Sequence, residues 1–314
     1  MDDAAECEID RLRSEPATER GDLPPSAPPP HLRRRLVTAD GVDLEAAYFD
    51  RADHVHAPPA LVLAHGFTGA LDRPALARAA RLLSRYASVV TFSFRGHGRS
   101  GGRSTVGDLE VHDLAAAVAW ARELGHERVA TVGFSMGGSV VLRHGALVGA
   151  DERTGADAVV AVSAPARWYY RGTPSMRRLH FAIQHPLGRL FSRYGLGTRV
   201  RAGDWNPVPL PPVAAAPLVA PTPLLLVHGD RDPYFPLDHP CSLAEAASPD
   251  HTELWIEPDF GHAENAASAP LLHRIGEWTT LHTAAGSRAD AAAASRRGHD
   301  GRPRTDAAPG NHTD

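Results

Sequence analysis

From Ala60 to Val162 the sequence alternates between short apolar runs and longer stretches with helical periodicity. The apolar runs lie at 60–64, 88–94, 128–133 and 157–162, and helical periods at 74–85, 108–124 and 136–149 fall between them. Few folds tolerate this rhythm. Strands joined by tight turns run antiparallel, whereas strands joined by helices run parallel and are covered on both faces, so that they read as nearly continuous apolar segments. The pattern therefore predicts an α/β fold, with a mostly parallel sheet of about eight strands and helices on both faces. A hairpin at 36–38 and 42–48, turning at Asp40-Gly41, gives it an antiparallel start. A strand at 223–228, a helix near 237–247, a strand at 252–256 and a closing helix near 270–281 complete it.

The interval 166–221 interrupts the rhythm. It is too long for a plain loop, carries an aromatic and basic first half and ends in a proline-rich run, so it reads as an inserted, partly helical cap. Residues 1–31 mix charge with a proline tract, and residues 284–314 hold Ala, Arg, Gly, Asp and His without apolar period. Both are expected to be disordered tails around a domain at 32–283.

Composition removes several function classes. The 314 residues contain no lysine, which excludes a Walker lysine, a Schiff-base lysine and a Ser-Lys dyad. A net charge of -4 gives no overall field suited to nucleic acid or to an anionic membrane as the main partner. Cys7 and Cys241 form no disulfide framework and lack zinc spacing. The acidic start, Met1-Asp2-Asp3, is unlike a secretory signal, and no stretch reaches the roughly 18 apolar residues of a membrane span. The expectation is a soluble, cytoplasmic protein without an integral membrane segment. His54 and His56 lack a third ligand at recognised spacing, and Arg33-Arg34-Arg35 and Arg296-Arg297 read as solvated charge rather than a nucleic-acid site.

The chemistry concentrates at strand ends. Gly133-Phe134-Ser135-Met136-Gly137 places a serine between a β-run and a helix, where a sharp turn pushes its hydroxyl outward and flanking glycines avoid backbone clashes. The helix beginning at Met136 directs free N–H groups and the positive end of its dipole at that point. A serine needs a base, and the base needs an orienting acid. Asp230 and Asp232 both follow the strand 223–228; Asp232 is the preferred acid, with Asp230 in a turn role beside Gly229. His262, on a glycine turn after the last strand, is the preferred base among 18 histidines. Backbone amides of Met136 and of Phe67, in the loop after the first core strand, are the candidate oxyanion donors. His65 is read as a structural loop residue, and the loop from Ser93 to Gly102 as one that shapes the site.

Taken together, the His65-Gly66-Phe67 loop, Phe94-Arg95-Gly96-His97-Gly98-Arg99-Ser100, Gly133-Phe134-Ser135-Met136-Gly137-Gly138, His228-Gly229-Asp230-Arg231-Asp232 and Gly261-His262 resemble the α/β-hydrolase superfamily over about residues 33–282. The likeness is to its lid-bearing branch of serine esterases, lipase-like enzymes and serine aminopeptidases. The short His-Gly-x loop differs from the triple-glycine loop of the hormone-sensitive-lipase type. The resemblance implies a Ser135–His262–Asp232 triad that needs no metal or organic cofactor and acts on a small-molecule ester or amide.

The leading expectation is cleavage of carboxylic esters with small or medium apolar acyl groups through an acyl-enzyme. Amidase or aminopeptidase, thioesterase, carbon–carbon hydrolase and acyltransferase activities use the same triad, and a non-catalytic ligand-binding receptor is the alternative from another class. In the cap, Trp168, Tyr169, Tyr170, Phe181, Phe191, Tyr194 and Trp205 either pack as a small core of their own or line an acyl pocket over Ser135. Trp168 and Tyr170 are the candidate substrate contacts.

Overall fold

The chain enters along one edge of a sheet. In the computed structural model, which describes residues 32–51, 59–149 and 151–283, β1 (Leu32–Val37) pairs antiparallel with β2 (Asp43–Phe49) around the Asp40-Gly41 turn. β1 begins four residues earlier than its apolar residues suggest, because Arg33, Arg34 and Arg35 belong to it. An edge strand needs no apolar alternation, and its arginines are instead held from the side. Arg33 meets Asp72 at 2.7 Å, Arg34 meets Glu123 at 3.0 Å and Arg35 donates to the Arg99 carbonyl at 2.9 Å.

The parallel part follows as β3 (Ala60–Ala64), α1 (Pro74–Leu83), β4 (Ser88–Phe92), α2 (Glu110–Glu123), β5 (Val129–Phe134), α3 (Met136–Val148) and β6 (Ala158–Val162). The segment between β6 and β7 (Leu224–Gly229) carries α4 (Pro174–Gln184), α5 (Pro186–Gly195) and the short α6 (Pro212–Ala215). The chain closes through α7 (Asp238–Ala246), β8 (Thr252–Glu257), the single-turn α8 (Ala263–Ala266) and α9 at 269–283. The eight strands form one sheet in the order β1-β2-β4-β3-β5-β6-β7-β8, parallel from β4 to β8.

Every residue of β3, β4, β5 and β6 is buried. Alternate side chains supply the two faces of the core. Val62, Val90 and Val129 face Trp120, Val140 and Leu142, while Leu61, Leu63, Val132 and Phe134 face Leu83, Leu272 and Ile275. Burying one such side chain contributes about 1.5–3 kcal/mol, so the centre of the sheet is its most resistant part. β4 and β5 flank β3 on opposite sides, so the chain reverses its direction of travel across the sheet there. Open α/β sheets form their ligand crevice beyond the carboxyl ends of the strands at such a point. The loop after β3 and the turn after β5 meet there.

Candidate active site

Ser135 sits at the end of β5 with φ 52° and ψ -112°, a backbone state that a non-glycine residue rarely adopts. The turn holds because its neighbours lack side chains. A β-carbon at Gly133 would collide with the Gly137 carbonyl, and one at Gly137 would collide with the Ala64 carbonyl of β3. Ser163, at the end of β6, and Ala263, beside the histidine, also have positive φ, and Ala263 N–H donates to Ser163 Oγ at 3.1 Å. Strain of this kind costs about 1–3 kcal/mol per residue and persists only where the surroundings enforce it. Three such residues on one edge mark it as a built site.

The serine, the histidine and one of the two aspartates come together there. His262 Nε2 lies 2.9 Å from Ser135 Oγ, and His262 Nδ1 lies 2.7 Å from Asp232 Oδ2. The other Asp232 oxygen accepts the N–H groups of Tyr234 at 2.8 Å and Phe235 at 3.1 Å, which fixes the carboxylate plane. Burial of Asp232 opposes its ionisation, but the His262 hydrogen bond and the nearby charges of His262 and His228 outweigh this and hold its pKa below the ordinary value. Asp230 is not brought to the imidazole. It is exposed and accepts the Asp259 N–H at 2.8 Å, so it fastens the β7 turn to the loop that carries His262. The Arg231 N–H adds a second tie to the Phe260 carbonyl at 3.1 Å.

His228 ends β7, fully buried, and donates through Nε2 to the Phe235 carbonyl at 2.9 Å; burial lowers its pKa. His65 is likewise structural in its contacts. Its Nδ1 donates to the Gly66 carbonyl at 2.7 Å, its Nε2 accepts the Phe94 N–H at 3.0 Å, and burial pushes its pKa down to about 3. Arg95 and His97 brace the loop after β4 through Asp113, Asp40 and the Arg95 carbonyl.

The loop after β3, which carries the candidate donor Phe67, is anchored by a residue to which sequence reasoning gave no role. The Gly66 N–H donates at 3.0 Å to Glu264 Oε1, two residues past His262. Gly69 N–H donates within the loop to the Gly66 carbonyl, and Met136, as the first residue of α3, has an amide outside the ladder of its own helix. Glu264 is almost fully buried, its second oxygen has no hydrogen-bond partner among the described residues, and burial raises its pKa. Both its oxygens and Ser135 Cβ stand within 3.4 Å of the point where a side chain at Gly66 would begin. Glutamate close after a candidate base was visible in the sequence; its partner, 198 residues upstream, was not.

Over Ser135 lies a cavity of about 80 Å³ walled by Phe67 and Met136 below and by Trp168, Tyr170, Ile183 and Trp205 of the inserted segment. A larger cavity of about 380 Å³ shares Val106, Tyr169, His180, Ile183 and Trp205 with it. Trp168 and Trp205 are fixed by indole bonds to the carbonyls of Pro209 at 2.9 Å and Thr105 at 2.7 Å. Of the seven aromatic residues singled out in the cap, Trp168, Tyr169, Tyr170 and Trp205 reach the cavity. Phe181, Phe191 and Tyr194 do neither of the things expected of them: they are 54%, 61% and 74% exposed and are not among the residues that wall it. The two tails, Cys7, His54, His56 and Arg296-Arg297 lie outside the described residues.

Residues 59–169 match a family model described as the alpha/beta hydrolase fold. Among solved structures, an esterase from Pyrococcus furiosus is similar, with a TM-score of 0.63 and 25% identity over 80% of this chain and 91% of that one. An α/β hydrolase from a Penicillium species has a TM-score of 0.62 at 20% identity, covering 81% of this chain and 99% of its own. The protein Est1E of Butyrivibrio proteoclasticus, solved with ferulic acid, has a TM-score of 0.54 at 19% identity, covering 80% and 99%. No curated protein matches the sequence. Its sheet order and this match give the chain the α/β-hydrolase fold. The fold and the esterase neighbour support a hydrolase in general.

Proposed function

We propose that the protein is a serine hydrolase that cleaves carboxylic esters of small or medium apolar acyl groups. One observation carries this reading: the unbroken contact from Ser135 Oγ through His262 to Asp232, at 2.9 and 2.7 Å, within hydrogen-bond reach at both steps. Ser135 Oγ attacks the ester carbonyl while His262 Nε2 takes its proton, and the tetrahedral oxyanion is held by the amides of Phe67 and Met136. His262 then gives the proton to the departing alkoxide, leaving an acyl-enzyme on Ser135. Water, deprotonated by the same nitrogen, attacks the acyl carbon and restores the serine. Asp232 keeps the Nδ1–H tautomer and stabilises the imidazolium formed twice in each cycle.

The acyl preference is argued from the walls of the cavity over Ser135. They are largely aromatic and aliphatic, and no aspartate or glutamate is among them. An aminopeptidase substrate would bring an ammonium group beside the scissile bond and needs a carboxylate there. Esters therefore fit this wall better than aminoacyl amides. Each buried methylene adds up to about 0.8 kcal/mol to transition-state binding until the pocket fills. The test is kcat/KM across nitrophenyl esters of increasing acyl length, with aminoacyl nitroanilides in parallel. We expect a rise over the first few carbons followed by a plateau; a flat profile, or faster turnover of the anilides, would contradict the assignment.

A further inference from the structure

The cap hairpin is built inside out. In α5, Leu187, Leu190, Phe191 and Tyr194 recur at i, i+3, i+4 and i+7, which puts them on one helix face, and they are 66%, 54%, 61% and 74% exposed. Phe181, on the outer side of α4, extends the stripe. The residues of α5 that are buried are Gly188 and Ser192. A β-carbon at Gly188 would collide with the Phe181 carbonyl, and Ser192 Oγ donates to the Ala182 carbonyl at 3.2 Å, so α5 rests on α4 through its small and polar side. Single exposed apolar residues need no explanation, but a surface helix normally buries a stripe of this kind.

Charge is segregated in the same segment. Between Ala158 and Gly203 there is no aspartate or glutamate, while arginine stands at 167, 171, 177, 178, 189, 193, 199 and 201, in a chain whose net charge is -4. Among the described residues only Arg167 of these eight meets a carboxylate, that of Asp238. Arg193 and Arg189 flank the α5 stripe, and Arg177 and Arg178 share the exposed side of α4 with Phe181. Long arginine side chains beside an apolar stripe can reach outward while the stripe sinks, an arrangement that suits an interface between oil and water.

We propose that the outer face of α4 and α5 docks on an anionic lipid surface. Apolar burial alone would accept any greasy partner, and arginine alone any anionic one; a surface with both an acyl layer and negative headgroups satisfies the two together. A second copy of this chain suits it poorly. A two-fold interface would set these arginines against their own equivalents, and like charges brought together cost affinity. No described helix is long and apolar enough to cross a membrane, so the protein would lie on the surface. Leu179, His180 and Ile183 on the other side of α4 wall the cavity over Ser135, so docking would hold that cavity against the lipid.

The test is sedimentation of the full chain with vesicles of phosphatidylcholine alone and of equal parts phosphatidylcholine and phosphatidylglycerol. We expect binding to the anionic vesicles at least about tenfold tighter and weakened by salt. Leu187→Ser with Phe191→Ser should weaken it by at least about tenfold, and Arg178→Gln with Arg193→Gln should flatten its salt dependence. Turnover of a short water-soluble ester should be unchanged in the first pair, whose side chains are exposed and away from the cavity. Failure to bind, equal binding to both vesicles, or binding untouched by either pair would overturn the proposal. So would a dimer of the full chain that the Leu187→Ser, Phe191→Ser pair dissolves, or vesicle binding that appears only when the acidic residues 1–31 are removed, since each names a different occupant of the face.

Discussion

The carboxyl edge of the sheet and the cap hairpin above it obey opposite rules. At the edge, Asp232, Glu264 and His228 are drawn out of water and most of their polar atoms are matched, while backbone strain at Ser135, Ser163 and Ala263 is enforced by close packing. In the cap, large apolar side chains stand in solvent and small ones are buried. The first pattern is what a site needs whose geometry must not change during reaction. The second describes a surface completed by something else. Variants in the two regions should therefore fail differently, the first in kcat and the second in what the protein binds.

The contrast is sharpest between the two aspartates after β7. Asp232→Asn would present an amide to His262 Nδ1 and favour the wrong tautomer, and we expect kcat to fall by about 10³- to 10⁴-fold. Asp230→Asn, which alters only the exposed tie to Asp259, should change kcat by less than about threefold. Steady-state kinetics on one ester decides between them. Comparable losses would mean that loop fastening, and not tautomer control, is what the edge provides.

Glu264 should act as a positioning residue through Gly66. Its removal in Glu264→Ala frees the loop that carries the Phe67 amide, and we expect kcat to drop about 10- to 100-fold with little change in KM, since an oxyanion donor matters chiefly in the transition state. Glu264→Gln keeps an acceptor for the Gly66 N–H and should recover most of the rate. A stability measurement gives an independent sign. Because burial raises the folded-state pKa of Glu264 above its ordinary value of 4.5, the unfolded chain loses this proton first as pH rises, and stability falls from there up to the folded pKa. Glu264→Gln should lack this loss, so its thermal midpoint relative to wild type should climb with pH over that range. A constant offset would show that the carboxyl titrates alike in both states.

The smallest effect belongs to the wall that the two regions share. Trp168→Ala or Tyr170→Ala should flatten the rise of kcat/KM with acyl length, a few-fold change per substrate, while activity on the shortest ester persists. If either variant abolished turnover of every ester, these residues would belong to the rigid edge rather than to the pocket.

How much of this was legible in the sequence follows the same division. The central strands were, because being buried on both faces forces continuous apolar runs. Ser135 was legible because a serine between a β-run and a helix leaves few conformations. β1 was only half legible, since an edge strand with arginines at 33–35 has no face to bury. The tie between Glu264 and Gly66 joins the two ends of the fold and leaves no local pattern. In the cap, α4 and α5 begin with Pro174 and Pro186 at their first turns, as helices commonly do, yet the direction of the apolar stripe could not be read from its spacing. Periodicity says that a face exists; it does not say what the face meets. The net charge of -4 likewise averaged away the cationic cap.

The central claim, that Ser135 is the nucleophile, is tested most directly by intact mass after treatment with a fluorophosphonate probe, followed by peptide mapping. We expect one probe adduct per chain on the peptide holding Ser135, with none on Ser135→Ala, whose thermal midpoint should stay near that of wild type. An adduct on another residue, or equal labelling of Ser135→Ala, would contradict the account.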